Sequence, residues 1–421
     1  MKEVGPSGLK KIAYAGCLGV VGIISTEFGI IGVLPQVASY YHISIDQAGI
    51  LLSAFALTIF LTGPFLVLLT SGINKKKMMV AAISIFLVSN ILSALAPAFW
   101  LLLLLRVIPA VLQPVFFSAA MGVVIRLAAK HEQHKLMGIV IGGIAIAQVT
   151  IIPLSAYLSS LSGWQTSFML QGAISLVAIA GIIAFIPNMP ISEKLSYRSQ
   201  LSILKKPRFL ISVALNVFLI SAWFSSYSYF ADYLMKAKMM TGQQLSYMLM
   251  LFGITGVIAN WLAGRLLAKS IPLTTAFFLL GTLVLPVILH FSGPSFFVQI
   301  AVVAIWGLMY GPAFLTAISY MIDAAPQAPE FANSLQASFG NLGVSMGTAV
   351  GGWFIVNKGI EHLPWVGAGF GAIALVMMLF RELLDWKVQR NKNTKINLNS
   401  DFSTGSAFLK QVNDLKNHKI Y

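Results

Sequence analysis

Two ionisable residues stand in stretches that are otherwise apolar. Glu27 is the one acid in a run from about 12 to 35, and Arg106 lies in a run from about 99 to 127. An acid at the centre of a lipid-embedded helix costs about 2.5 kcal/mol or more, so each such residue needs a task or a partner. Glu27 comes eight residues before Pro35, and Arg106 about seven residues into its own run. At the usual helical rise these spacings put the two about 12 Å and about 11 Å below the same surface. Equal depth lets them face one another or a shared aqueous cavity. Glu27 could then carry a proton, with Arg106 biasing its proton affinity and coupling its charge to a bound molecule. The same residues could instead form a fixed pair or cap main-chain carbonyls, since arginine serves packing equally well by hydrogen-bonding carbonyls.

Uncharged groups near the same depth are Gln113, Gln148 and Asn341, which could line a substrate path. Interhelical hydrogen bonds of about 1 kcal/mol each explain them equally well. Trp223, Phe224, Tyr227 and Tyr229, with Trp306 and Tyr310, could form an aromatic wall for a flat or amphipathic ligand; interface belts and ordinary packing are the plainer alternative. Asp232 reads as a solvated rim acid, and Asp323, just before Ala324, Ala325 and Pro326, as a loop charge.

Enzymatic chemistry lacks its ingredients. There is no GxxxxGK[ST] to cradle phosphate, no GxSxG and no HExxH. His131 and His134 have only Glu132 beside them, too few ligands for a metal, and Cys17 is the single cysteine. No cofactor or metal is expected.

The elements that must hold these residues follow from composition. Of 421 residues, 57% are hydrophobic and 10% charged, with a mean hydropathy of +0.84. Soluble domains carry about a quarter of their residues charged, so this is a membrane protein. Twelve apolar runs of about twenty residues or more, from 12–35 to 364–386, are each long enough to cross about 30 Å of hydrocarbon as a helix. A lipid-facing backbone must satisfy its own hydrogen bonds, which selects helices. The first run has no cleavage site and is read as a retained helix.

The net charge of +15 is distributed by side. With the N-terminus inside, every lysine and arginine falls in cytoplasmic segments except Arg106, Lys236, Lys238 and Lys358. The positive-inside rule then places both termini in the cytoplasm. Anionic membrane lipid accounts for the charge, and no nucleic-acid partner is expected. The expected organisation is a six-helix half over 1–187, a cytoplasmic linker over 188–208, a second six-helix half over 209–390 and a disordered cytoplasmic tail over 391–421. The fifth run carries Gly138, Gly142, Gly143 and Pro153, and the eleventh Gly340, Gly343, Gly347, Gly351 and Gly352. Such matched Gly/Pro helices suggest a repeat-built transporter with its site between the halves.

Over about 12–386 the chain resembles the major facilitator superfamily, in particular its twelve-helix drug:proton antiporter group, which includes bacterial arabinose, purine-nucleoside and chloramphenicol efflux proteins. The carriers are Thr26 to Pro35 (TEFGIIGVLP), Arg106 to Ala110 (RVIPA), Gly142 and Gly143 leading to Pro153, Gly163 with Trp164, and Gly340 to Gly343 leading to Gly351 and Gly352. The resemblance implies gating roles for Gly142, Gly143 and Pro153, for Lys75, Lys76 and Lys77 after the second helix, and for Gly264 after the eighth. Three departures stand out: Ser71, Gly72 and Asn74 replace the Asp-Arg signature of that first loop, Ala268 and Lys269 replace its counterpart, and Gln165 stands where arginine usually follows Gly-Trp.

The expected protein is an all-α, multi-pass major facilitator bundle of the bacterial cytoplasmic membrane, not an enzyme. It would be a monomer that exports a small organic molecule (drug, sugar or nucleoside-like) against protons by alternating access. A nutrient importer and a non-transporting membrane regulator are the alternatives.

Overall fold

The computed structural model describes residues 6–70, 72–188, 201–387 and 390, and among these there is no strand. The tail over 391–421 and most of the linker lie outside the described residues. Twelve helices are long and apolar enough to cross a membrane. In the first half these are α1 (Ser7–Gly32), α2 (Ile45–Thr70), α3 (Lys75–Ala94), α4 (Phe99–Leu127), α5 (Lys130–Ser162) and α6 (Gln165–Phe185). In the second they are α7 (Pro207–Lys236), α8 (Gly242–Leu267), α9 (Ile271–Phe291), α10 (Phe296–Ala324), α11 (Phe331–Lys358) and α12 (Ile360–Lys387). Lys75, Arg126, Arg265 and Arg381 mark one end of the bundle, called here the basic end; the other is the far end.

Local chemistry sets the boundaries. Asn74 starts α3 by accepting from the Lys77 backbone N–H at 3.2 Å, and Thr241 with Gln244 forms a capping box at α8. Gly163 and Gly359 close α5 and α11 at φ +90° and +92°, a conformation that disfavours side chains, so the two halves end corresponding helices with the same device. Pro153 has no N–H to give the carbonyl four residues back. The preceding Ala147–Ile151 segment accordingly runs as a π turn.

Helices approach closely where side chains are absent. A Cβ at Gly143 of α5 would lie 2.6 Å from the Cys17 carbonyl oxygen of α1, and one at Gly347 of α11 would lie 2.6 Å from that of Ser221 in α7. The halves meet along α2 with α11 and along the far-end part of α5 with α8. At the far end Tyr229 is wedged against Gly49 of α2 and Gly352 of α11 while its hydroxyl donates to the Thr348 carbonyl at 2.9 Å. Toward the basic end α5 leaves α8: an added Cβ would meet nothing within 4 Å at Gly138 or Gly142. The bundle is therefore sealed at the far end and parted along one seam at the basic end.

Lys238, one of the few cations at the far end, is buried, and its Nζ caps α9 by donating to the carbonyls of Leu289 at 2.7 Å and Ser292 at 2.6 Å. Burial pulls its ammonium below the usual lysine range.

Candidate functional site

Glu27 belongs to the last fully α-helical turn of α1, which tightens to a 3-10 turn at Ile30–Gly32. It is 2% exposed, and its Oε2 accepts from Gln113 Nε2 of α4 at 2.7 Å. Arg106, two turns away on α4, is 1% exposed and does not ion-pair with that carboxylate. Its Nε donates to the Leu51 carbonyl of α2 at 2.9 Å, and its two terminal nitrogens donate to the carbonyls of Thr26 at 3.1 Å and Glu27 at 3.0 Å. Carbonyls in the closing turn of a helix lack regular partners, and the guanidinium supplies them. Its face lies 5.2 Å from the Phe55 ring centroid. The structure thus brings Glu27 and Arg106 together as their matching depths suggested, but through the main chain; Gln113 is the residue on the carboxylate. Asn90 of α3 completes the polar layer by donating to Thr26 Oγ1 at 2.9 Å.

This arrangement frees the carboxylate. Arg106 makes bonds that do not depend on whether Glu27 is protonated, so Glu27 can gain or lose a proton without dismantling the junction of α1, α2 and α4. Gln113 Oε1 is buried without a protein partner, an acceptor available to water or a bound molecule.

One residue along from Glu27, Phe28 meets Phe224 of α7 at 5.3 Å between ring centroids. From Phe224 a continuous aromatic cluster runs through the second half. Trp223 packs at 5.3 Å on Phe314 of α10, Tyr227 stacks at 4.9 Å on Phe252 of α8, and Trp306 sits 5.0 Å from Phe230. Tyr227, Trp306 and Tyr310 are 4%, 0% and 2% exposed, so these rings are packed on one another and not on an open cavity. A cavity of about 10 Å³ beside Trp223 and Tyr310 is the size of one water, and the indole nitrogens of Trp223 and Trp306 are buried without partners.

The remaining sequence candidates are dispersed. Gln148 lies in the π turn of α5, and its carbonyl oxygen would be 2.8 Å from a Cβ at Gly253 of α8. Asn341 donates to Ala337 of its own helix at 3.0 Å. Of the expected gating group, Gly143 and Pro153 are buried, whereas Gly142 borders open space and an added Cβ at Gly264 would meet only Leu315, at 4.0 Å. Lys75 lies against Gly122 of α4, Lys76 donates to the Ile183 carbonyl of α6 at 2.7 Å, and the Lys77 backbone is held by Asn74, so these lysines knit the first half internally.

Two expectations are corrected. Asp232 is no solvated rim acid: it is wholly buried and pairs with Lys236 at 2.9 Å, because the break in α7 at Ser228 and Tyr229 turns the short Phe230–Lys236 helix inward. Asp323 is no isolated loop charge: it closes α10 against Arg208 of α7 at 2.8 Å and Arg381 of α12 at 2.7 Å, with Asp385 bridging the same two arginines. The i,i+4 spacing of Arg381 and Asp385 was the available signal for this cluster.

The sequence profile of the Major Facilitator Superfamily matches residues 16–330, three quarters of the chain. The chain belongs to the major facilitator superfamily. Among its relatives, the inner membrane transport protein YdhP of Escherichia coli K12 is 27% identical over 372 residues, covering 87% of this chain and 96% of the relative. A probable sugar efflux transporter of Mannheimia succiniciproducens is 24% identical, covering 87% and 92%, and one of Helicobacter pylori J99 is 26% identical, covering 85% and 91%. Among solved structures, nucleoside transporter NupG superposes with a TM-score of 0.71 at 13% identity, covering 89% of this chain and 99% of NupG. A bacterial homologue of the human lysosomal transporter Spinster, inward-facing and occupied, superposes at 0.67 with 13% identity, covering 93% and 98%. This major facilitator protein is therefore a multi-pass inner-membrane transporter and not an enzyme.

Proposed function

We propose that this transporter exports a small polar organic molecule of the sugar class in exchange for protons, with Glu27 as the proton carrier. The observation that carries the reading is the setting of the Glu27 carboxyl: it is buried in the last turn of α1, held by a neutral amide, and not ion-paired with the guanidinium beside it, which bonds the main chain instead. A fixed ion pair would resist titration; a carboxyl held by an amide can change charge as access to it alternates. Sugar-class export is supported by the names of relatives that align over most of their length. The unpartnered Gln113 acceptor and Trp223 donor are polar groups of the kind a hydroxyl-rich ligand would use. The basic end is assigned to the cytoplasm by the positive-inside rule.

Everted vesicles with an imposed pH gradient test this directly, using sugars and nucleosides as a panel. A sugar should collapse the gradient in wild type and not in Glu27→Gln. Equal collapse in both would make Glu27 structural, and accumulation with the opposite pH dependence would establish import.

A further inference from the structure

The lipid-facing flank of the first half contains a crevice of about 480 Å³, within the range of about 300–1,000 Å³ typical of small-molecule sites. Its walls include Tyr14, Cys17 and Val21 of α1, Ile146 and Ile151 of α5, and Ile174 of α6. The crevice exists because of the π turn. Beyond it the far-end part of α5 packs on α6, whereas the part from Lys130 to Ile146 parts from α6 and leaves α1 showing between them. Tyr14 and Leu18 are accordingly 56% and 37% exposed on a helix whose other faces are buried.

Toward the basic end this apolar slot is collared by cations. Lys10 lies one turn below Tyr14 on the stripe that continues through Cys17 and Val21, about 10 Å along the axis from Cys17. Lys135 lies three turns below Ile146 on the corresponding stripe of α5, and both lysines are exposed. Lys11 Nζ sits 6.0 Å from the Phe185 ring centroid at the end of α6. Among the described residues no acid pairs with any of the three. The second half differs: Arg208 and Arg381 at its basic end are neutralised by Asp323 and Asp385.

We propose that this crevice binds an anionic phospholipid, with an acyl chain against Cys17 and Ile146 and the phosphate on Lys10 and Lys135. An apolar slot with unpaired ammonium groups one headgroup depth away matches the two parts of such a lipid, and charge complementarity selects the anionic class over the zwitterionic one.

The test uses the purified full chain in nanodiscs carrying trace phosphatidylglycerol or phosphatidylcholine with a photoreactive acyl chain, read by mass spectrometry of peptides from α1. Phosphatidylglycerol should label the segment around Cys17 more strongly, by about fivefold for each lysine engaged. Lys10→Gln with Lys135→Gln should lower that yield to the phosphatidylcholine level; Lys11 is kept so that the N-terminal charge still sets topology. Leu18→Trp, which fills the slot, should abolish labelling by either lipid. Equal labelling by the two lipids, or a preference that survives the double lysine variant, overturns the headgroup assignment. Labelling confined to other helices overturns the site.

Discussion

In the first half the interior is polar: Glu27, Gln113, Arg106, Thr26 and Asn90 link α1, α3 and α4 by hydrogen bonds, and Arg106 ties in α2. In the second half the corresponding space between α7, α8 and α10 is filled by stacked and tilted rings. The two halves share a scaffold, with glycine seams between α1 and α5 and between α7 and α11 and matching left-handed glycines at the ends of α5 and α11. At their basic ends the contrast reverses. The second half pairs Arg208 and Arg381 with Asp323 and Asp385 in one cluster, whereas among the described residues of the first half no basic-end lysine is in a salt bridge, although Glu132 stands between Lys130 and Lys135. The same frame thus carries a buried, hydrogen-bonded carboxyl on one side and a packed aromatic cluster on the other.

The largest expected effect tests whether Arg106 is a main-chain cap. Arg106→Ala removes the guanidinium from three buried carbonyls, two of them in the closing turn of α1, and should lower stability in detergent by about 3 kcal/mol. Arg106→Lys should recover little of it, because an ammonium cannot span the same three acceptors. If thermal unfolding shows Arg106→Ala to be mild while flux disappears, the arginine acts on Glu27 after all. Next, Gly143→Leu should cost about 1–3 kcal/mol by forcing α5 off α1, while Gly142→Leu, one residue away, should be nearly silent in the same measurement. Equal effects would mean that both glycines serve gating and neither serves packing.

Neutralising the ion cluster is a smaller perturbation. Asp323→Asn should lower stability by about 1 kcal/mol, since the carboxylate is 43% exposed and solvent screens it, whereas replacing Lys77 by Gln should change stability by less. A larger loss at Lys77 would show that the basic ends are not as different as their pairing implies. The smallest structural effect belongs to Trp223→Phe, which removes an unpaired indole N–H. Unfolding should move by less than about 1 kcal/mol while the KM for an exported sugar rises about fivefold. An unchanged KM would remove Trp223 from the substrate path.

Much of this organisation is legible in the chain itself. The helical runs could be read directly because hydrocarbon leaves the backbone no alternative to internal hydrogen bonding. Their limits were less visible: α5 runs from Lys130 to Ser162, well past the apolar stretch 136–158, because charged and polar residues can continue a helix beyond the hydrocarbon. Glu27 and Arg106 announced themselves by their cost in lipid, and their common depth followed from counting residues. Gln113 was visible as a polar residue but not as the partner of Glu27, since any of several helical rotations would have aimed it elsewhere.

The sequence by itself determined the class of the protein: how many times it crosses, where the basic residues gather, and that Glu27 and Arg106 lie inside. Lipid imposes those features residue by residue, so they need no knowledge of neighbours. Tertiary structure alone decided that Arg106 serves carbonyls and Gln113 the carboxylate, that Gly143 packs while Gly142 faces open space, and that Asp323 joins two distant arginines. Each of those depends on which helix faces which, and that is set by interdigitating side chains drawn from segments far apart in the chain, where the pattern of one helix carries no information about the other.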